Sequence, residues 1–173
     1  MSSAYSIERG VPSHAERLRE IERAAGAMFR DVGMGDVADH DPTDASYLEE
    51  CANDGRLLVA LAPAGEVAGF LIWSYMDGNA YVEEVAVHPR HAGHRLAARL
   101  IDALADAVRG SARAITLATF REVPWNAPYY AKLGFEELSR SAVGREHIQA
   151  WQEQADMGLD MSKRLFMIRR VTQ

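Results

Sequence analysis

The alternation of apolar and polar positions divides the chain into short strand-like runs and longer helical stripes. Runs typical of strands lie at residues 4–9, 56–62, 66–76, 80–87 and 114–119, from residue 135, and at residues 163–171. Two gaps carry turn signals, Pro63-Ala64-Gly65 and Asp77-Gly78, and each predicts a hairpin between the strands on either side. The sequence therefore predicts three consecutive antiparallel strands in the middle of the chain.

Apolar residues three or four positions apart predict helices in the remaining segments. The clearest stripe consists of Leu96, Leu100, Leu104 and Val108. Other helices are predicted at residues 13–29, from about 41 to 55, and at 125–133 and 145–157. The first opens on Ser13-His14-Ala15-Glu16, a capping-box signature. In the last, Ile148, Trp151 and Ala155 are predicted to share the buried face.

In chain order these elements run β-α-α-β-β-β-α-β-α-β-(α)-β. This order predicts an α/β (α+β) protein with a mixed, mostly antiparallel central sheet flanked by helices. The 173 residues are enough for one domain with a sizeable core. No linker, composition shift or repeat divides them, so residues 1–173 are predicted to form a single domain.

Basic side chains gather just before Leu96: Arg90, His91, His94 and Arg95. A helix N-terminus carries a partial positive charge, so each basic residue in its first turn costs a few tenths to about 1 kcal/mol. That first turn is predicted to hold His94 and Arg95, and no acid follows before Asp102. This pattern is expected where an anion binds, most simply a phosphate on free backbone N–H groups. Gly93 would let such a ligand approach the backbone closely.

The strand, turn and helix around this segment resemble the acyl-CoA pyrophosphate loop of the GNAT superfamily of N-acyltransferases. Gly93 and Ala97 match the family pattern. Ala92 stands where the family usually has Gln or Arg, and Arg95 stands where it usually has a glycine. A second segment, Asn126-Ala127-Pro128-Tyr129-Tyr130-Ala131-Lys132-Leu133-Gly134-Phe135, resembles the family's Asn…Tyr-x-Lys-x-Gly-Phe motif with a shorter Asn-to-Tyr interval. Together the two resemblances cover roughly residues 55–140.

The resemblance implies an N-acetyltransferase that uses acetyl-CoA as its acyl donor. The pantetheine amides would pair with the backbone of residues 84–87, while the loop and the following helix would hold the pyrophosphate. The implied cofactor-binding residues are Val85, Ala86, Val87, Ala92, Gly93, His94, Arg95, Leu96, Ala97, Ala98 and Asn126. For Asn126 a helix-capping role is an open alternative.

Tyr130 is the predicted proton donor to the departing CoA thiolate, because it is the tyrosine of the Tyr-x-Lys-x-Gly-Phe match. A tyrosine with an ordinary pKa of about 10 keeps its proton at neutral pH and can give it to a thiolate. A core aromatic is the alternative interpretation. The acetyl group is predicted to move by direct attack in a ternary complex, since Cys51 has no positive neighbour in the sequence to activate it.

The general base is less clearly marked, because the strand at residues 115–119 carries no acid. Glu83 and Glu84 on the preceding strand and Glu122 in the following loop are the candidates. Strict alternation places Glu84 on the face of Ala86 and Glu83 on the opposite face. Acids in an otherwise apolar strand are costly to bury, which favours a role for one of them, and Glu84 is preferred. A solvated position at the edge of the sheet is the open alternative for one or both.

Two rival functions belong to other classes. His88, His91 and His94 lie at equal intervals and would suit a zinc site, but Pro89 and Gly93 break any helix that would align them. No metal is therefore predicted. The other rival is a non-catalytic acyl-CoA sensor or interaction module of the same fold, which the departures at Ala92 and Arg95 keep open.

Charge and composition indicate which classes of partner and which cellular setting to expect. A net charge of −6 argues against nucleic acid and favours cationic small molecules. The longest apolar run, residues 57–64, is too short to span a bilayer, so no membrane association is predicted. One cysteine in the whole chain excludes an internal disulfide and fits a reducing, cytoplasmic setting. The resemblance also implies a possible homodimer.

An acidic segment covers residues 36–54, which hold seven acids and no Lys or Arg. A solvated helix face is the simpler interpretation. The family builds its acceptor site partly from this region, so the segment could instead form a wall that attracts an amine. The predicted acceptor is a small-molecule amine, cationic in character.

Overall fold

A computed structural model describes residues Ala4–Thr172. Its strands are β1 Ser6–Arg9, β2 Leu57–Leu61, β3 Val67–Met76, β4 Asn79–Val87, β5 Ala114–Phe120, β6 Glu136–Leu138 and β7 Arg164–Arg170. Its α-helices are α1 Ala15–Gly26, α2 Gly35–Ala38, α3 Ala45–Asn53, α4 Leu96–Ala107, α5 Ala127–Lys132 and α6 Arg145–Asp156. Within these described residues, no helix combines the length and apolar character needed to cross a membrane.

The seven strands form one sheet in the order β1-β2-β3-β4-β5-β7-β6. The pairs β1–β2, β2–β3, β5–β7 and β6–β7 are antiparallel, whereas β4 and β5 are parallel. The parallel ladder joins Ala80, Tyr81 and Val82 to Ile115, Thr116 and Leu117, and it ends there. This arrangement confirms the predicted fold class, a mixed, mostly antiparallel sheet flanked by helices.

Two compact units account for the described residues. The first contains the chain up to Trp73 together with Glu83–Asp106, and the second contains Ser74–Val82 and the chain from Ala107 onward. The boundary passes through β3 and β4, so each of these strands contributes to both units.

In the first unit, α1 and α3 cover the sheet. Leu18 and Ile21 of α1 and Leu48 and Cys51 of α3 are fully buried in a core cluster with strand side chains. The strand members of this cluster are Leu57, Val59, Val67, Phe70, Ile72 and Ala86. The predicted apolar stripe of α4 is buried as well, since Leu96, Leu100 and Leu104 are at most 2% exposed.

In the second unit, a buried polar network fixes the start of α6. His147 is 1% exposed, and its Nδ1 lies 2.7 Å from Asp77 Oδ2 while its Nε2 lies 2.8 Å from Thr116 Oγ1. The Asp77 carboxylate also accepts hydrogen bonds from the backbone N–H groups of Glu146 and His147. Burial alone would raise the pKa of Asp77, but these hydrogen bonds outweigh it and hold that pKa below its usual value.

Three local predictions are wrong. Ile148 is 56% exposed, and the buried face of α6 is formed by His147 and Ala150, one residue away from the predicted phase. The chain from Pro12 to His14 forms a 3₁₀ turn, so α1 begins after the predicted cap and no side chain caps it. Pro42 lies outside any helix, since α3 starts only at Ala45.

Both predicted hairpin turns are present. Asp77 and Gly78 both have positive φ, 49° and 78°, which is the pattern of a type I′ turn. In the other turn Gly65 has φ 91°, and the Ala62 N–H donates to the Glu66 carbonyl across the loop.

Candidate functional site

The loop between β4 and α4 is open to solvent. Pro89–His91 forms a 3₁₀ turn, and every residue from Ala92 to Arg95 is exposed. A side chain built on Gly93 would meet nothing within 4 Å. The predicted first turn is displaced: α4 begins at Leu96, so His94 and Arg95 precede the helix. No acidic residue lies in the helix's first turn, as predicted.

Backbone amides at the start of α4 are available to a ligand. The Arg99 N–H donates to the Arg95 carbonyl at 3.0 Å, and the N–H groups of Leu96, Ala97 and Ala98 lie before that first helical bond. Leu96 and Ala98 are only 2% and 4% exposed, so their side chains belong to the interior. Their predicted contribution to cofactor binding must therefore come from the backbone.

Two residues of this loop adopt left-handed backbone conformations. Gly93 has φ 86° and Arg95 has φ 55°. The left-handed region costs a non-glycine residue roughly 1–2 kcal/mol, which explains why the family pattern usually has glycine at the position of Arg95. Among residues 4–172 the Arg95 guanidinium has no hydrogen-bond or ion-pair partner.

The three histidines of the loop have separate roles. His91 Nδ1 lies 2.9 Å from the Tyr5 hydroxyl, and His91 Nε2 lies 3.1 Å from Glu66 Oε1. The His94 ring packs on Tyr5 with centroids 4.5 Å apart. His88 Nδ1 accepts from the Arg90 N–H, and burial followed by nearby positive charge holds the pKa of His88 below its usual value. These contacts use both nitrogens of His91 and brace the loop from Tyr5.

The rival zinc hypothesis needs several ligands arranged around one ion. Within the described part of the chain, no group of three or more His, Cys, Asp and Glu side chains is arranged to hold a metal ion. Sequence reasoning missed Tyr5 because it lies 86 residues from His91, and nothing in the local pattern indicates that contact.

The end of β4 lies close against β3. The His88 N–H donates to the Ala68 carbonyl at 2.9 Å, and a Cβ on Gly69 would lie 2.9 Å from the Ala86 carbonyl oxygen. Ala86 is buried, whereas Val85 and Val87 are half-buried. The parallel ladder of the same strand already ends at Val82, so the segment that was predicted to hold the pantetheine follows the end of that ladder.

Glu83 is held by a tyrosine that the sequence analysis did not single out. The Tyr47 hydroxyl lies 2.9 and 2.7 Å from the two carboxylate oxygens of Glu83. Tyr47 belongs to α3, which covers the face where Ala86 joins the core. Glu83 therefore contacts a residue of the helix that covers the face of Ala86, although strict alternation would place it on the opposite face.

A buried cluster surrounds this pair. The Arg56 guanidinium lies 6.0 Å from the Tyr47 ring centroid, and Cys51 is 0% exposed. Burial and then the hydrogen bond to Glu83 raise the pKa of Tyr47 above its ordinary value. Arg56 is a positive neighbour of Cys51, which the sequence analysis had not expected, yet burial dominates and raises the pKa of the thiol.

The second unit carries the Tyr-x-Lys-x-Gly-Phe segment. Tyr130, in α5, is 8% exposed, and its ring centroid lies 5.8 Å from those of Tyr129 and Phe135. Asn126 occupies the N-cap position of α5 but makes no side-chain capping bond, so the capping alternative is wrong. The ring of Tyr130 is thus fixed by core packing.

The remaining acids are exposed or already paired. Glu122 lies in the exposed loop after β5, and half-buried Glu84 has interactions of its own within the fold. In the acidic segment, Asp39 pairs with Arg30, and Asp54 pairs with Arg56 at 3.1 Å. Part of that segment is therefore neutralised by neighbouring arginines.

The model of the acetyltransferase (GNAT) family matches residues 17–135, which is more than half of the chain. The chain belongs to this family. The match includes the open loop, the end of β4 and the Tyr130 segment. These segments are therefore the ones to be interpreted in terms of acyl transfer.

Solved structures share the fold. The N-acetylglutamate synthase of Neisseria gonorrhoeae, complexed with coenzyme A and N-acetyl-glutamate, has a TM-score of 0.72 at 14% identity. The match covers 100% of this chain but only 36% of that one, so this GNAT chain spans little more than a third of that protein.

Two shorter proteins match along nearly their whole length. The PaiA N-acetyltransferase of Thermoplasma acidophilum, in complex with coenzyme A, has a TM-score of 0.67 at 13% identity, covering 96% of this chain and 99% of that one. A GNAT-family acetyltransferase of Staphylococcus aureus Mu50 has a TM-score of 0.70 at 16% identity, covering 98% and 100%. At such identities the likeness establishes the fold.

Proposed function

We propose that this protein is an N-acetyltransferase that moves an acetyl group from acetyl-CoA to the primary amine of a small, cationic molecule. The observation that carries the proposal is the exposed loop from Ala92 to Arg95, which leads into a helix with no acid in its first turn. Family membership and relatives solved with coenzyme A support the same donor.

The donor would lie along the first unit. Its pyrophosphate would bind the N–H groups that open α4, with Arg95 supplying positive charge and His94 lying nearby. Its pantetheine amides would pair with the backbone at Val85 and Val87, in the part of β4 that follows the ladder with β5. Asn126 is assigned a cofactor contact from the resemblance alone.

The reaction would proceed by direct attack in a ternary complex. A glutamate of β4, Glu83 or Glu84, takes one proton from the ammonium form of the acceptor. The neutral nitrogen then forms a bond to the thioester carbon, and the carbon–sulfur bond breaks as the tetrahedral intermediate collapses. Tyr130 protonates the departing thiolate. The nitrogen loses two protons in all. One passes through the glutamate to solvent, and the other leaves the tetrahedral intermediate and balances the proton that Tyr130 gives to sulfur.

A covalent acyl-enzyme finds no support in the one cysteine. Cys51 is fully buried and burial raises the pKa of its thiol, which disfavours the nucleophilic thiolate. The acceptor's cationic class is supported by the net charge of −6 and by the acids of residues 36–54 that remain exposed.

The test combines binding and turnover. Acetyl-CoA should raise the melting temperature, and the wild-type protein should release free CoA thiol when it is offered a panel of amines. Tyr130→Phe should lower that release roughly a hundredfold while the thermal shift is retained, because only proton donation is lost. Tyr75→Phe, which removes an exposed hydroxyl bonded to Ser111, is the matched control.

Each outcome has a distinct meaning. A thermal shift without thiol release from any amine would indicate the non-catalytic acyl-CoA sensor, the alternative that the departures at Ala92 and Arg95 favour. The absence of both would remove the acyltransferase proposal. Equal turnover in Tyr130→Phe would remove the role of Tyr130 alone.

A further inference from the structure

We propose that Tyr47 is a positioning residue that holds the Glu83 carboxylate, and that Glu83 rather than Glu84 takes the proton from the ammonium form of the acceptor before the neutral amine attacks. This inference rests on the proposed function. It adds a residue from α3 to the reaction and decides between two neighbouring glutamates.

The geometry of the pair is the first support. One hydroxyl reaches both carboxylate oxygens of Glu83, at 2.9 and 2.7 Å, and thereby fixes the plane of the carboxylate. Among the residues the structure describes, no other hydrogen bond or ion pair reaches this group. A carboxylate has about four acceptor positions, so acceptor capacity is left for a substrate ammonium.

The anchoring of Tyr47 is the second support. Its ring packs against the core cluster under α1 and α3, and Arg56 lies beside it. Arg56 is itself fixed, because it donates to the Trp73 carbonyl at 2.8 Å and pairs with Asp54 at 3.1 Å. A tyrosine held in this way positions its hydroxyl with little loss of side-chain freedom during the reaction.

The protonation state of Tyr47 is the third support. Burial and the contact with Glu83 raise the pKa of Tyr47, so the hydroxyl keeps its proton across the neutral and mildly alkaline range. Tyr47 therefore remains a donor to Glu83 at neutral and mildly alkaline pH.

The position of Glu83 on β4 makes it suitable as the base. It is half-buried and immediately precedes residues 84–87, the segment assigned to the pantetheine and the thioester. A carboxylate in that setting is costly unless it is hydrogen-bonded, and Tyr47 supplies that bond. In the reaction Glu83 takes a proton from nitrogen and later releases it to solvent, while the nitrogen lone pair forms the bond to the acyl carbon.

The experiment measures thiol release and acetyl-CoA binding for wild type, Tyr47→Phe, Glu83→Gln, Glu84→Gln and the double variant Tyr47→Phe/Glu83→Gln. Glu83→Gln should lower kcat roughly a hundredfold, the effect expected on removing a general base. Tyr47→Phe should lower kcat roughly tenfold, as expected for one hydrogen bond to a charged group. Neither should change the Kd for acetyl-CoA, and Tyr75→Phe should behave as wild type.

A double-mutant comparison separates positioning from mere support of the fold. If Tyr47 acts through Glu83, Tyr47→Phe should cause no further loss of kcat in the Glu83→Gln background. The Kd for acetyl-CoA is the second readout: damage to the fold would raise it, whereas loss of positioning alone leaves it unchanged.

The inference is overturned by independent effects of the two substitutions, by a large loss in Glu84→Gln with an active Glu83→Gln, or by a raised Kd for acetyl-CoA in Tyr47→Phe. A wild-type protein that releases no thiol with any amine overturns the proposed function, and this inference with it. Activity in the wild type together with any of the first three results overturns the inference alone.

Discussion

Asp77 and Arg95 invite comparison because they are the non-glycine residues with positive φ among residues 4–172, at 49° and 55°. Asp77 makes several hydrogen bonds within the fold. Its carboxylate binds His147 and two backbone N–H groups, and its carbonyl accepts from the Arg113 guanidinium at 2.8 Å. The Arg95 side chain has no such partner within the described residues.

The difference separates two reasons for tolerating strain. In the β3–β4 turn, hydrogen bonds within the protein offset the backbone cost, so the residue supports folding. In the β4–α4 loop the Arg95 side chain contributes no such bond among the described residues, and only its carbonyl is bonded, to the Arg99 N–H, which fits a side chain kept for a ligand. Of the two strained residues, Arg95 is therefore the more informative about function, because no side-chain contact in the described fold offsets its strain.

The largest effect in this comparison is expected for Asp77→Gly. Glycine relieves the turn but leaves buried His147 without its carboxylate and α6 without its N-terminal acceptor, so unfolding free energy should fall by about 3 kcal/mol. Chemical denaturation measures this against Asp31→Gly as the control at an exposed position. Equal stability of the two variants would mean that the network contributes nothing.

A second test concerns the space around the Asp77 carboxylate. A Cβ on Gly144 would lie 2.3 to 2.7 Å from that carboxyl group, which hydrogen bonds hold in place. Gly144→Ala should therefore destabilise the protein by about 2 kcal/mol, within the range for overpacking. Gly26→Ala, where the nearest atom is 4.0 Å away, is the comparison, and a cost no greater than that of Gly26→Ala would contradict the prediction.

Arg95→Gly, unlike Asp77→Gly, is not expected to destabilise the protein. The loss of left-handed strain should leave unfolding free energy unchanged or higher by up to about 1 kcal/mol, since the added freedom of the unfolded chain offsets part of the gain. Acetyl-CoA affinity should fall roughly tenfold with the loss of one charge at the phosphate site. Calorimetry checks the affinity, and tighter binding in the variant would show that Arg95 hinders the donor.

The smallest expected effect is on the pH dependence of stability. The pKa of Asp77 is held below its ordinary value, so its contribution is complete above that value and is lost as the pH falls through the lowered one. Asp77→Asn should therefore flatten the acid limb of stability against pH, below about pH 4. Denaturant midpoints over that range measure it, and parallel curves for the two proteins would exclude Asp77 as the titrating group.

Much of the fold could be predicted from local pattern. The seven strands, the hairpin turns and the stripe of α4 follow from hydrophobic period and turn residues, which act over a few positions. The open loop was predicted from charge at a helix start. Helix boundaries and the face of α6 were placed one to several residues away from their true positions, because several phases of that pattern fit the local composition.

The sequence by itself determined which segments form strands and helices, the family to which the chain belongs, and the loop and tyrosine that its motifs mark. Only the tertiary structure decided that Tyr47 holds Glu83, that Tyr5 braces His91 and His94, and that Asp77 holds His147. These partners lie 36 to 89 residues apart. Such contacts depend on how helices and strands pack together, which no periodicity within a single element records.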